Sequence, residues 1–255
     1  GWSEVEKQPL LSVNAISMGD NGQILVTEGS TLYPYENWCH DLMDQGHTGR
    51  VFQIDPVSGK SLEICTGLHF PFGCCDTGSE IWISETWKHR LLSYQFSSPN
   101  DTAEPIKAIP STTILDWLPG YPCRITRASD GGFWLAAFAG RTQLVEFVLR
   151  EKHYRKRMVE EVDPRYWIAP ALRSGDDFLE PLQGAGVKMR GVLKPYAPPR
   201  SYGLLIRLDK QGVPISSFQS RLDGKNHGVV KAVECKGVLY VLAKGPGRIL
   251  QLPLA

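Results

Sequence analysis

The chain has 255 residues, a length typical of one large domain or two small ones. Its 28 Lys and Arg residues nearly balance 27 Asp and Glu residues, so the net charge of +1 provides no general attraction for nucleic acid or an acidic membrane surface. Frequent Gly (25) and Pro (18) favour many turns and short elements over a long helical bundle. No run of about 20 apolar residues is present, so no membrane span is predicted.

The start of the chain and its cysteines bear on the compartment. Residues 1–6 lack the basic start and apolar run of a signal peptide. No CxxC pair exists, and the scattered spacing favours buried free thiols over a disulfide framework. These features favour the cytoplasm and leave the periplasm open. The cysteines are Cys39, Cys65, Cys74, Cys75, Cys123 and Cys235.

Two short apolar runs joined by a turn recur four times along the chain. The first runs begin at residues 13, 70, 121 and 227, and the second runs at 23, 80, 133 and 238. Each pair predicts a β-hairpin, because a turn glycine supplies the positive φ between the strands. These turn glycines are Gly22, Gly78, Gly132 and Gly237.

Further strands complete each repeat. Third strands are predicted at 50–55, 90–95, 203–209 and 248–252, and fourth strands near 62–65, 106–109 and 214–218. Four antiparallel strands per repeat are typical of a β-propeller blade. We therefore predict an all-β chain, 1–255, forming one partial propeller domain of about four blades, with repeats near 10–66, 67–117, 118–222 and 223–255.

The third repeat is interrupted by an insertion at about 150–200. Good helix formers without Gly or Pro predict a helix at 150–161, followed by a Gly- and Pro-rich loop. The basic cluster at 150–157 is either an anion-binding surface or a solvated helix face. The glutamates on both sides of the cluster favour the solvated face.

Four segments resemble the strictosidine synthase-like branch of six-bladed propellers, relatives of the senescence-marker and gluconolactonase proteins. These are TGRVFQIDP at 48–56, GLHFPFG at 67–73, SETWKHR at 84–90 and LPGYP at 118–122. Residues 163–172 and 194–203 are similar to a bacterial subgroup associated with ABC transporter permeases. The resemblance implies that two N-terminal blades precede this chain, which makes it a fragment, and that a permease is a partner.

In the family, the central channel holds a divalent metal, typically calcium, on oxygen ligands. The matching positions here are Phe72 and Cys123, followed by Arg124. Phe cannot ligate a metal and a thiol suits calcium poorly, so no cofactor is predicted. Asn14 alone keeps an amide at an equivalent strand start.

Strictosidine synthase uses a Glu shortly after a His at the start of its last blade. His227 lies near that His, but Val229 and Val230 occupy the place of the Glu, so this activity is not expected and the catalytic residues are unknown. Asn14, Arg124 and His227 are the candidate channel residues for a ligand. The alternative is a buried hydrogen-bonded His and a surface Arg.

Two glutamates and one cysteine each have two interpretations. Glu28 and Glu85 end equivalent strands and either face a pocket or, as we favour, accept hydrogen bonds from loop backbone. Cys123 is a nucleophile or, as we favour, a packed thiol.

Glu234 is interpreted as a solvated turn residue. Trp82 and Trp134 are predicted between blades; the remaining histidines, read as structural or exposed, are His40, His47, His69, His89 and His153.

The function predicted from these features is binding of a small organic ligand of sugar-acid or lactone type, linked to an ABC transport system. The alternative is a lactone or ester hydrolase of the gluconolactonase-like class.

Overall fold

The computed structural model describes residues 4–5, 8–95, 109–173, 201–220 and 225–254. After a short hairpin of β1 (Glu4–Val5) and β2 (Gln8–Pro9), these residues form four antiparallel sheets. In each sheet the strands follow one another in chain order, which is the arrangement of a propeller blade. Asn100, the start of a glycosylation sequon, lies outside the described residues.

The first two sheets have four strands each. The first consists of β3 (Val13–Met18), β4 (Ile24–Glu28), β5 (Gly49–Ile54) and β6 (Ser61–Leu68). The second consists of β7 (Pro71–Asp76), β8 (Glu80–Glu85), β9 (Arg90–Gln95) and β10 (Ile109–Leu115).

The third sheet also has four strands, and the fourth has three. The third consists of β11 (Gly120–Arg127), β12 (Phe133–Gly140), β13 (Leu204–Leu208) and β14 (Pro214–Gln219). The fourth consists of β15 (Val229–Cys235), β16 (Val238–Ala243) and β17 (Arg248–Pro253).

In the described part of the chain, three helices lie in the connections. They are α1 (Trp38–Met43), α2 (Gln143–Arg150) and α3 (Lys152–Glu161), with short 3-10 turns at Tyr35–Asn37, Thr86–Lys88 and Pro164–Tyr166. Within the described ranges, no helix has the length and apolar character to cross a bilayer.

The four-bladed β fold predicted from the sequence is confirmed, with three local corrections. The fourth strand of the second sheet lies at Ile109–Leu115, later than predicted, and register shifts at this edge strand accommodate Pro110. The third turn uses Gly131, at φ 89°, rather than Gly132. Gly132 is needed instead for close packing, because an added Cβ would lie 2.3 Å from the Leu208 carbonyl oxygen.

The third correction concerns the insertion. The predicted helix begins at Lys152, and α2 before it is not among the predicted elements. Thr142 caps α2 by accepting a hydrogen bond from the Val145 backbone N–H at 3.3 Å. Most charged side chains of α3 are exposed, with ion pairs Lys156–Glu160 and Arg157–Glu161, whereas Arg155 is half-buried and donates to the Leu149 carbonyl oxygen. This exposure is consistent with a solvated helix face, and an anion-binding surface stays the alternative prediction.

Contacts divide the chain into two compact units, residues 1–118 with 122–126 and residues 119–121 with 127–255. The first unit has an apolar core between the faces of its sheets, which includes Leu25, Val51, Ile81 and Ile83. Cys65 and Cys74 belong to this core, and burial raises the pKa of each thiol to about 12. Such thiols stay protonated, as expected for packing residues.

The second unit has a hydrogen-bonded contact between its sheets. The Glu234 carboxylate, on β15, accepts bonds from the Ser129 backbone N–H at 2.7 Å and from Trp134 Nε1 at 2.5 Å. Burial raises the pKa of Glu234, but these bonds outweigh it and hold the pKa below its usual value. The interpretation of Glu234 as a solvated turn residue is therefore wrong: from β15 it binds the buried Trp134 of β12 in the neighbouring sheet.

Replacing Glu234 by Ala should lower the free energy of unfolding by about 1–3 kcal/mol, because the buried Trp134 N–H loses its acceptor. Urea denaturation followed by tryptophan fluorescence measures the change. The control Glu160→Ala removes an exposed carboxylate of the same unit and should change stability by less than about 0.5 kcal/mol. Equal effects of the two variants would contradict this role.

Candidate functional site

Three innermost strands begin with a β-bulge at the same repeat position. Val13 of β3 pairs with Glu28 of β4, and Ala15 pairs with Thr27, the neighbour of Glu28. Asn14 therefore has no paired residue in β4 and is the extra residue of the bulge. Phe72 in β7 and Val230 in β15 are extra residues in the same way. A bulge re-aims its side chain without breaking the ladder on either side. The four-repeat pattern did not reveal these bulges.

Asn14 and Arg124 lie together in the first unit. Asn14 is 2% exposed, and its Nδ2 donates to the Pro71 carbonyl oxygen at 2.9 Å. Its Oδ1 is buried and has no hydrogen-bond partner among the described residues. The Arg124 guanidinium donates to the Asn14 backbone oxygen and lies 5.0 Å from the centre of the Phe72 ring. Burial lowers the pKa of Arg124.

His227 belongs to the second unit. It lies two residues before β15, the position that Leu11 and His69 occupy before β3 and β7. Its ring packs against Gly245, where an added Cβ would lie 2.1 Å from the ring. His227 is therefore a loop residue in the repeat, and Val230 occupies the bulge of its sheet.

The residues at the family's metal positions are packed side chains. Phe72 and Cys123 are 3% and 0% exposed. Among the described residues, no group of three or more His, Cys, Asp or Glu side chains could hold a metal ion. Arg124 lies in the middle of β11 and not at the strand start that the sequence predicts, whereas Asn14 and Phe72 lie near the starts of β3 and β7. The amide, phenyl ring and guanidinium of these residues do not fit a hard cation.

Glu28 and Glu85 make the same bonds in the first two sheets. Glu28 accepts from the Leu11 backbone N–H and from Arg50 Nε, both at 2.6 Å. Glu85 accepts from the His69 backbone N–H at 2.7 Å and from Arg90 Nε at 2.5 Å. The prediction that these carboxylates satisfy loop backbone is confirmed. We call each set of bonds a carboxylate clamp; it holds the loop that leads into the bulge.

A row of rings continues from the Arg124 guanidinium toward α1. Ring centres are 6.3 Å apart between Phe72 and Phe70, and 4.3 Å apart between Phe70 and Trp87. Trp38 stacks on Trp87 at 5.8 Å. Sequence patterns did not predict this row, because its members come from elements far apart in the chain: α1 (Trp38), the entry into β7 (Phe70 and Phe72) and the turn at Thr86–Lys88 (Trp87).

Asp41 in α1 anchors the row. It is 1% exposed, and its Oδ1 accepts a hydrogen bond from Trp87 Nε1 at 2.7 Å. Burial raises the pKa of Asp41, and the hydrogen bonds from Ser30 and Trp87 offset only part of the rise. The row therefore ends on a buried carboxyl group that is bonded to Trp87.

Comparisons with known proteins fit this architecture. Protein STRICTOSIDINE SYNTHASE-LIKE 13 of Arabidopsis thaliana is 28% identical over 146 residues, covering 56% of this chain and 34% of that protein. Adipocyte plasma membrane-associated protein of Salmo salar is 25% identical over 227 residues, covering 86% of this chain and 45% of that protein. The chain thus spans about a third to a half of the length of these relatives. No family model matches the chain.

A solved structure described provisionally as a gluconolactonase superposes with a TM-score of 0.53 at 11% identity, covering 99% of this chain and 63% of that one. The four sheets and this likeness define a β-propeller with four blades. The homologues of this chain are strictosidine synthase-like and adipocyte plasma membrane-associated proteins, so the predicted resemblance to the strictosidine synthase-like branch is confirmed. The resemblance to a transporter-associated bacterial subgroup stays a prediction.

Replacing Glu28 by Gln should lower the free energy of unfolding by about 3 kcal/mol, because the buried Arg50 loses its charged partner. The control is Glu63→Gln, whose carboxylate is partly exposed and 3.5 Å from Arg50; its loss should cost less than about 1 kcal/mol. Urea denaturation compares the two. Equal losses would show that the clamp adds nothing beyond a surface ion pair.

The raised pKa of Asp41 predicts a pH effect with a definite sign. Its contribution to stability is complete below about pH 3.9, the carboxyl pKa in an unfolded chain, and is lost as the pH rises through the higher folded value. Wild type should therefore lose stability relative to Asp41→Asn between pH 4 and the folded pKa. Denaturation at several pH values measures this difference.

The control for this pH series is Asp116→Asn, which changes an exposed carboxyl group of the same unit. Its stability difference from wild type should stay constant over the same pH range. A constant difference for Asp41→Asn as well would show that Asp41 does not titrate on unfolding.

Proposed function

We propose that this propeller binds a small organic ligand of sugar-acid or lactone type beside Asn14, Phe72 and Arg124, which lie together in the first unit. The observation that supports this most directly is the pairing of a half-buried guanidinium, Arg124, with an amide, Asn14, whose Oδ1 is buried without a partner. Buried polar atoms are nearly always satisfied, so an orphaned acceptor indicates a group that arrives with a ligand or water.

The groups are complementary to a hydroxylated anion. A guanidinium presents five N–H donors that match a carboxylate, and at this site one of them bonds the Asn14 carbonyl oxygen. The Asn14 Oδ1 accepts a hydroxyl or a bridging water. The Phe72 ring beneath the guanidinium holds it in place by a cation–π contact. His227, in the second unit, is a separate candidate ligand-binding residue, since an imidazole can donate to a hydroxyl.

We propose that the protein binds this ligand and does not hydrolyse it by a metal-dependent reaction. The family positions for oxygen ligands are a phenyl ring and a buried thiol, neither of which suits calcium. No described carboxylate stands at the bulge positions Asn14, Phe72 and Val230 to act as a general acid or base. A lactone or ester hydrolase remains the alternative, and a hydrolysis screen decides between them.

A role beside an ABC transporter permease is a separate part of the proposal. It rests on the sequence resemblance of residues 163–172 and 194–203 to the transporter-associated subgroup. In the first of these segments Trp167 is 1% exposed and its Nε1 donates to the Val162 carbonyl oxygen at 2.8 Å. Residues 194–200 lie outside the described residues.

Calorimetry with a panel of sugar acids and lactones tests the binding proposal. Arg124→Ala should weaken an observed affinity by at least tenfold, about 1.4 kcal/mol, and His227→Ala tests the candidate residue of the second unit separately. The control Arg127→Ala removes an exposed arginine of the same strand and should leave affinity unchanged.

The outcome against the proposal is binding that neither Arg124→Ala nor His227→Ala weakens, which would place the site elsewhere. Lactone or ester turnover stimulated by calcium would instead support the hydrolase alternative.

A further inference from the structure

Two histidines that are 22 residues apart in sequence meet at the strand ends of the first unit. His47 lies two residues before β5 and His69 lies two residues before β7. The two strand starts touch, because a Cβ added to Gly49 would lie 2.1 Å from Pro71 Cδ. This contact brings the imidazole ring centres to 5.6 Å, with the ring planes 37° apart. Because no HxH or HExxH spacing marks the pair, the sequence alone did not predict it.

The tautomer of His69 is set by its backbone partner. His69 Nδ1 lies 3.1 Å from the Gly46 carbonyl oxygen, which can only accept, so Nδ1 carries the hydrogen. Burial lowers the pKa of His69, which favours the neutral ring with a lone pair on Nε2. This is the usual state of a metal-binding histidine, whose second nitrogen is oriented by a carbonyl or carboxylate.

Gly46 is itself held in position. Its backbone N–H donates to the Asp41 carbonyl oxygen at 2.9 Å, and it packs so closely on the Asp41 carboxyl group that an added Cβ would lie 2.4 Å away. The carbonyl that orients His69 is therefore part of a fixed turn and is not a mobile partner.

The separation of the rings fits a shared ion. Zinc–nitrogen bonds are about 2.0–2.1 Å, so a ring centre stands about 3.2 Å from the metal. Two such rings at a tetrahedral or slightly wider angle have centres about 5.2–5.6 Å apart. The observed 5.6 Å lies at the upper end of this range.

We propose that His47 and His69 form a binding site for a borderline transition-metal ion such as Zn²⁺, with solvent or an exogenous ligand in the remaining coordination positions. His47 is exposed, which leaves the ion open to solvent. Imidazole nitrogen suits zinc and does not suit calcium, so the site differs in chemistry from an oxygen-ligand channel site.

Positive and negative side chains near the two histidines have opposing effects on a bound cation. Lys88 acts against a cation near His69, whereas the Glu85 carboxylate acts in its favour. Asp41 interacts with His47 through its charge, and Asp44 with Asp41. With two protein ligands the site is weaker than a structural zinc centre, and protons compete with the metal for both imidazoles.

Calorimetric titration of the chelator-treated chain with zinc tests the proposal. One ion per chain should bind at pH 7.5, and affinity should fall at least tenfold at pH 5.5, below the usual histidine pKa of about 6.5. His47→Ala, which changes an exposed side chain, should weaken binding at least tenfold, as should His69→Gln if it folds. Calcium should produce no binding heat.

Two control variants separate this pair from other zinc ligands. His153→Ala changes an exposed histidine of α3, and Cys235→Ser removes an exposed thiol. Both should bind zinc as wild type does. Zinc binding that survives His47→Ala, that is lost in Cys235→Ser, or that is absent in wild type would overturn the proposal.

Discussion

The carboxylate clamp is the interaction on which the strand ends of the first unit depend. In each of its two sheets, one buried carboxylate binds an arginine at the first or second position of the third strand and a backbone N–H of the loop that enters the first strand. A buried charge is tolerated only when its partners are complete, so the loop and both strand ends must adopt one geometry together. The bulges, and the side chains that they display, inherit their positions from this geometry.

Local patterns predicted the strands well, and long-range contacts account for most of what they missed. Alternation and turn glycines locate most of the hairpin strands, because those signals lie within a few residues. The role of Glu234 could not be read in this way, since its partners, Ser129 and Trp134, are about one hundred residues earlier. Local patterns likewise do not link His47 with His69 or Asp41 with Trp87, because these partners are also distant in sequence.

The candidate site was predictable in its composition and less so in its geometry. The sequence placed Asn14 and Arg124 at strand starts, and the structure adds that the guanidinium lies over Phe72 and bonds the Asn14 backbone. The phenyl ring of Phe72 therefore contacts a cation that the chain itself provides, the Arg124 guanidinium. The row of rings behind it extends this aromatic environment to the buried carboxyl group of α1.

The bulges have a consequence for how such proteins diverge. An extra residue contributes its side chain to the strand start while its neighbours keep the ladder pairing, as at Asn14, Phe72 and Val230. An amide, a phenyl ring and an isopropyl group occupy this one position in three blades of the same chain. Selection can thus alter the chemistry of the strand starts residue by residue while leaving the blade scaffold intact, which is how one architecture can host unrelated activities.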